Sequence, residues 1–314
     1  MTGLRNRRLI STLGPKGREE VGAILPHEHV FLDLRTWESP GHGAAEPAKV
    51  VRRVAPEISR AQTAGVTAIV EPTTLGVGRR ADVLKAVSEA TGMPLVAPTG
   101  VYREPWIPPW VHAAEAGRLR DWMVGELEGE IEGTGVRAGW IKVSAGDDGL
   151  TETETKVLRA AAKAAVATNA TIGSHTSKGE VALEQLDLLE TEGLPPGRFV
   201  WIHAQREPDV SLHREVARRG AWLEYDGIGR RRMPQGSEDR FVWLVLKALD
   251  SGLDDRLLLS GDMLGFDAAL PDGGEIEPYA YLVETFLPKL VAADAGEQTI
   301  RRLTRNNPFD AFAR

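Results

Sequence analysis

The stretch Ala23-Ile24-Leu25-Pro26-His27-Glu28-His29-Val30-Phe31 reads as an apolar strand that runs into two histidines at its C-terminal end. On an extended chain residues i and i+2 face the same side, so both imidazoles point one way, as two ligands of one metal ion would. A His-x-His pair alone is common outside metal sites, and its meaning depends on what the rest of the chain places beside it. Working outward, 22–28 is the first of eight strand-like runs, followed by 66–71, 94–99, 138–143, 170–174, 198–203, 221–226 and 256–261. Most are rich in Val, Ile, Leu, Ala or Trp without strict alternation, as parallel strands covered on both faces should be. Helical stretches separate or follow them at 47–64, 80–91, 119–132, 155–168, 179–192, 209–219, 238–251 and 279–293.

Regular strand–helix repeats mean right-handed βαβ units, and eight of them imply a closed (β/α)8 TIM barrel, an α/β fold. A doubly wound open sheet is the alternative, but it rarely has eight such units. Thr151 and Glu154 form a capping box ahead of the Ala-rich 155–168, and Gly92 ends the helix at 80–91 before Pro94 opens the next strand. Residues 8–24 exceed what a bare barrel needs. Leu9–Pro15 and Val21–Ile24 are expected to form a short N-terminal β-hairpin at the barrel bottom, with Gly14-Pro15-Lys16-Gly17 as its turn. Residues 1–314 are read as one domain, since no low-complexity linker interrupts them.

Composition narrows the function classes. Hydrophobic content of 42% and charged content of 26% are those of an ordinary globular chain. No apolar stretch approaches the roughly 18 residues of a membrane span. The start shows no long apolar core or cleavage site, so a cytoplasmic location without membrane partners is expected. A net charge of −7 argues against nucleic-acid binding and leaves a small-molecule substrate as the expected partner. With no cysteine, any metal must be held by His, Asp, Glu or a modified Lys.

In such a barrel the C-terminal ends of the strands converge on one site. Those ends carry His27 and His29 (strand 1), Lys142 (strand 4), His175 (strand 5), His203 (strand 6) and Asp262 (strand 8). A histidine at a strand end is often a hydrogen-bonded core residue, and an aspartate there often caps the next helix. Lys142 is harder to explain that way, because a lysine on a buried strand carries a large desolvation cost unless paired or neutralised. His42, His112 and His213 lie in polar or loop-like sequence and look ordinary.

The order HxH, Lys, His, His, Asp resembles the phosphotriesterase family of the amidohydrolase superfamily. Leu25-Pro26-His27-Glu28-His29, Gly139-Trp140-Ile141-Lys142, Thr73-Thr74-Leu75-Gly76-Val77-Gly78-Arg79 and Asn307-Pro308 are all similar to its motifs, so the likeness covers nearly the whole chain. The resemblance implies two divalent metal ions, with zinc expected and cobalt, manganese or iron as alternatives. His27, His29 and Asp262 would hold one and His175 and His203 the other. Lys142, carbamylated by carbon dioxide, would bridge both together with a hydroxide. Asp262 would also be the catalytic residue, accepting the hydroxide proton. Family members are commonly homodimers, and a homodimer is expected here.

Substrate choice rests on the loops. Tyr102, after strand 3, resembles the lactonase-type members and is expected to bind substrate. Arg230, in the Arg230-Arg231-Arg232 run after strand 7, is expected to do the same. Arg206 and Lys178 add positive charge, which suits an anionic lactone such as a phosphorylated sugar lactone. The partly apolar loop after strand 8, with Met263, Leu264, Phe266 and Pro271–Gly274, is expected to form a lid. Two departures from the family pattern are Gln205, where many members have Asp, and Glu71, where Asp is frequent. Glu28 is expected to point away from the metals. The expected activity is lactone hydrolysis. A phosphotriesterase (aryldialkylphosphatase) or other phosphoesterase is the enzymatic alternative, and a non-catalytic metal-bound binding protein is the alternative of another class.

Overall fold

The structure, a computed structural model, describes residues 7–230 and 237–314. Each apolar run forms a short strand: β1 (Ala23–Leu25), β2 (Val66–Val70), β3 in two pieces (Leu95–Val96 and Pro98–Thr99), β4 (Trp140–Ser144), β5 (Ile172–His175), β6 (Phe199–Ile202), β7 (Trp222–Tyr225) and β8 (Leu257–Leu259). All pair in parallel and in sequence order, and the two pieces of β3 carry the sheet from β2 across to β4. Closure between β8 and β1 comes from backbone bonds at the mouth. Asp262 N–H donates to the His27 carbonyl at 3.1 Å and His29 N–H to the Met263 carbonyl at 3.0 Å. Beyond them His29–Leu32 and Leu264–Asp267 run parallel as an added strand pair. The fold is therefore the expected (β/α)8 barrel.

The helices form an outer ring: α1 (Pro47–Thr63), α2 (Ala81–Thr91), α3 (Ala116–Glu128), α4 (Glu152–Thr168), α5 (Gly179–Thr191), α6 (Val210–Arg218), α7 (Glu238–Asp250) and α8 (Leu282–Phe286 continuing as Leu287–Ala292). The Thr151 capping box is present, with Glu154 N–H donating to Thr151 Oγ1 and Thr151 N–H to Glu154 Oε2. Gly92 ends α2 at φ 72°, a left-handed position that costs glycine nothing. Among the described residues no helix is long and apolar enough to cross a membrane.

Three expectations need correction. The hairpin pairs Leu9–Ser11 with Gly14–Lys16, so Gly14-Pro15-Lys16 is a strand and the turn lies two residues earlier, at Thr12-Leu13. Ser11 explains the shift: its hydroxyl donates to the Gly14 carbonyl at 2.7 Å and accepts from Leu13 N–H. Val21 and the residues after it lead into β1 rather than back along the hairpin. The first barrel strand also stops at Leu25, because the chain bends at Pro26 and His27 before His29 opens the next strand. Finally, Leu264–Asp267 is a paired strand and not a lid, with Phe266 stacked on Phe31 at 5.9 Å between ring centroids.

Inside the barrel, the lower half is apolar. Ile24, Ala68, Val70, Val96, Trp140, Val200, Ile202, Trp222 and Leu258 form one cluster, closed from below by Leu9, Val21 and the C-terminal Phe309 and Phe312. Asn307 fixes that closing segment, its amide donating to the carbonyls of Asp254 and Leu257. This accounts for the Asn307-Pro308 motif structurally. Thr73–Arg79 is likewise partly structural, with the buried Arg79 paired to Glu126 and Glu132.

Candidate active site

Each strand alternates, so two residues above an apolar barrel filler comes another inward-facing position. On β4, Trp140 lies in the bottom cluster and Lys142 above it; on β7, Trp222 is followed by Glu224 and then Asp226. His203 leaves this rhythm. It follows β6 at φ 67°, and the left-handed turn swings its ring into the mouth.

The structure brings the expected residues together. Nε2 of His27 and Nε2 of His29 each lie 3.4 Å from Asp262 Oδ1. Ligand atoms of three groups fall within 4.8 Å of one another and could hold a metal ion: His27, His29 and Asp262; His27, Glu224 and Asp226; and His203, Asp226 and Asp262. His175 joins through His203, whose Nε2 is 2.7 Å from His175 Nδ1. The Tyr102 hydroxyl lies 3.2 Å from the same His175 nitrogen.

Two of the four histidines are oriented by a carboxylate directly and a third through a hydroxyl. His27 Nδ1 is 2.6 Å from Glu224 Oε1, and His203 Nδ1 is 2.5 Å from Asp226 Oδ1. His29 Nδ1 bonds Thr73 Oγ1 at 2.7 Å, and that hydroxyl donates to Glu71. A proton held on Nδ1 by each of these acceptors leaves Nε2 with its lone pair facing the centre, the arrangement usual for metal-binding imidazoles. Burial, followed by neighbouring positive charge, pushes the His175 and His203 pKa values well below their ordinary value, so both rings are neutral donors. Burial likewise brings His29 down to about 4.

Lys142 is buried, and among the described residues no carboxylate lies within ion-pairing distance of its ammonium. Burial lowers its pKa to about 8, against the opposing pull of Glu224, Asp226, Asp262 and Glu71. Burial alone would raise the Asp262 pKa; Arg230, with His27 and His29 beside it, carries it well below the carboxylate range. Arg230 contacts Asp262 Oδ2 through Nη1 and sits 3.7 Å from Glu277. Arg231 and Arg232 lie outside the described residues.

Glu28 points away from this centre, as its place between the two histidines suggested, and it has a task. Its carboxylate accepts from the Ser260 hydroxyl, Gly261 N–H and Met263 N–H at 2.7, 2.7 and 2.6 Å. Those bonds bracket Asp262, which is held at φ 50°. Glu224 and Asp226 were missed in the sequence, although their i, i+2 spacing on a buried strand is the signal that His27 and His29 carry. Gln205 replaces the frequent Asp without leaving a gap, since its amide donates to Asp226 Oδ1 and its carbonyl accepts from Asp226 N–H. His213 is not an ordinary surface histidine. It is buried behind the barrel against Tyr225 and the Glu207 carbonyl.

A parallel barrel whose mouth gathers four imidazoles, several carboxylates and a buried lysine defines a hydrolase of the metal-dependent barrel class. The chain belongs to the Phosphotriesterase family, whose family model matches residues 7–312. It is 28% identical to the phosphotriesterase homology protein of Escherichia coli, covering 94% of this chain and 99% of that one. It is also 26% identical to an aryldialkylphosphatase of Saccharolobus solfataricus, covering 94% and 96%, and 24% identical to an N-acetyltaurine hydrolase of Xenopus tropicalis, covering 95% of each. The crystal structure of the Escherichia coli homology protein, complexed with phosphate in its active site, superposes with a TM-score of 0.83 at 29% identity, over 93% of this chain and 99% of that one.

Proposed function

We propose that this chain is a lactonase that works with two divalent metal ions in the barrel mouth. The observation that carries the reading is the convergence of His27, His29, His203 and Asp262 ligand atoms beside a buried lysine that, among the described residues, has no acid at pairing distance. The donor set fits the family's metal pair: His27, His29 and Asp262 would hold one ion, and His175 and His203 the other. Near pH 8 a large share of Lys142 is the free amine that attacks carbon dioxide, forming an N–C bond and releasing one proton to give a carbamate. That change would turn a costly buried cation into an anionic ligand with two oxygens to offer a metal. When bound, zinc, or alternatively cobalt, manganese or iron, would supply Lewis acidity and lower the pKa of water toward neutrality.

The chain's own residues do the rest. Asp262 takes the proton from the attacking water, and Glu28 holds the backbone on both sides of it in place. Glu224, Asp226 and the Thr73–Glu71 pair keep the imidazoles in the ligating tautomer. Tyr102, against His175, and Arg230, against Asp262, are the proposed substrate contacts. The reading favours a carbonyl substrate over a phosphotriester on the Tyr102 hydroxyl beside His175, a donor for a lactone ring oxygen. The N-acetyltaurine hydrolases add that an acyl bond is within the reach of relatives. Phosphotriester hydrolysis, which the aryldialkylphosphatase relative brings to mind, is the second reading. A lactone, an N-acyl amide and paraoxon assayed side by side on metal-loaded protein separate these readings. Preference for the lactone is expected, and preference for paraoxon or the amide overturns it. Bound metal without turnover of any of the three would point to a binding protein.

A further inference from the structure

At the end of the barrel away from the catalytic mouth, a groove of about 1210 Å³ is lined by five arginines and four acids, and each of those acids is already engaged. Asp310 is shared by Arg7 and Arg18, and Asp254 pairs with Arg302. Glu19 pairs with Arg8, which does not line the groove, and the exposed Asp255 lies 3.5 Å from Arg256. Arg198 is left without an acid. It is only 9% exposed and forms no ion pair among the described residues. Residues 1–6 and 231–236, outside the described part, contain no Asp or Glu to supply one.

The Arg198 guanidinium is held in place by neutral groups alone. Nε donates to Asn169 Oδ1 at 3.0 Å, and Nη1 donates to the Ala313 carbonyl at 2.9 Å and to Thr171 Oγ1 at 3.3 Å. Nη2 makes no hydrogen bond among the described residues and is not enclosed by protein, so it is the nitrogen left open to the groove.

The strand order puts Arg256 on the same wall. Arg198 directly precedes β6, Trp222 opens β7 and Arg256 directly precedes β8, and these three strands are neighbours in the sheet. Trp222 lies opposite Val200 in register, and Leu223 N–H donates to the Arg256 carbonyl at 2.8 Å. The Trp222 indole ties the two arginines together. Its ring carries the Arg256 guanidinium at 5.1 Å, and its Nε1–H donates to the carbonyl of Gly197, the residue before Arg198, at 3.0 Å. Burial, helped by the charges of Arg7 and Arg314, brings the Arg198 pKa down to about 10, as a cation lacking its counter-ion should behave. An anion placed there would offset the desolvation cost. Guanidinium N–H donors match the oxygens of a phosphate, and a groove of this size has room for a small molecule attached to it.

We propose that this groove is a second binding site, separate from the catalytic mouth, for a phosphate group, free or carried by a small molecule, held by Arg198 Nη2 and Arg256. Chemistry in such barrels belongs to the other end, so the site binds its ligand without turning it over. The inference does not depend on the lactonase reading.

Titration calorimetry with inorganic phosphate on the metal-loaded protein tests it, with Arg198→Gln and Asn306→Asp as variants. Asn306 also lines the groove, and its side chain makes no hydrogen bond among the described residues. The second variant therefore adds a negative charge without removing a contact, and keeps the test decisive if Arg198→Gln folds poorly. Wild type is expected to bind phosphate in the groove with a Kd of about 1 mM or tighter, and each variant to weaken that binding about tenfold. Phosphate held at the mouth is common to all three proteins. Glycerol phosphate separates the two sources: tighter binding than inorganic phosphate assigns the site to a phosphate ester, and weaker binding assigns it to the free ion. Hydrolysis at the mouth is expected to keep its kcat/KM in both variants. Equal phosphate affinity in all three proteins overturns the site, as does a weakening matched by loss of hydrolysis, which would put the phosphate at the mouth. If no substrate is turned over by any of the proteins, the hydrolase reading fails and the calorimetry still decides the site.

Discussion

Along β4, Trp140 and Lys142 enter the same barrel two residues apart, and along β7 Trp222 and Glu224 do so again. One pleat repeat, roughly 7 Å of strand, separates a cluster closed by Phe309 and Phe312 from a centre of neutral imidazoles and crowded acids. The lower end stabilises the fold by burying apolar surface. The upper end costs stability, since Lys142 and Glu224 are removed from water with incomplete compensation, Glu224 Oε2 lacking a hydrogen-bond partner among the described residues. Cavity size does not tell the two apart: a groove of about 1210 Å³ lies on the lower face, lined by Arg198, Trp222, Arg256 and Asp310 among others. What marks the working end is the convergence of donor atoms.

Substitutions at the two ends should therefore separate activity from stability. The largest expected effect is at the mouth: Lys142→Met should lower hydrolysis at least about 10²-fold and reduce bound metal while leaving thermal stability equal or higher. Lactone assays, metal analysis and thermal melts on the same preparation check this. At the lower end Phe312→Ala, which removes a ring 5.1 Å from Trp140, should cost about 3–5 kcal/mol in denaturant unfolding with the metal content of the folded protein retained.

His213 offers a contrast to the mouth histidines, being equally buried but backed by a tyrosine and a backbone carbonyl. Burial lowers its pKa to about 4. A pKa depressed in the folded state gives stability that is present above the unfolded value near 6.5 and is lost as pH falls toward 4. Relative to His213→Gln, the wild type should therefore lose up to about 3 kcal/mol of unfolding free energy between pH 6.5 and 4, read from urea titrations at each pH. Smaller again, Glu224→Gln should weaken metal affinity about 10- to 100-fold by loosening the His27 tautomer, as competition with a chelator would show.

Much of this contrast was legible in the sequence. The eight apolar runs gave the barrel because parallel strands buried on both faces need no alternation, and the strand ends named six residues that the structure gathers. The N-terminal turn was misplaced because a serine hydroxyl, and not Gly-Pro, sets it. The strand pair His29–Leu32 with Leu264–Asp267 was invisible because it joins segments more than two hundred residues apart, with no local signal for their pairing. Glu224 and Asp226 were readable and overlooked, their i, i+2 spacing hidden beside the arginine run that follows.

The central claim is that the upper end of the barrel is a two-metal centre bridged by Lys142. Metal analysis of wild type and Lys142→Met after saturation with zinc and removal of free ion tests it most directly. The account predicts about two ions per chain in the wild type and one or none in the variant. Fewer than one ion in the wild type, or an unchanged content in the variant, would contradict it.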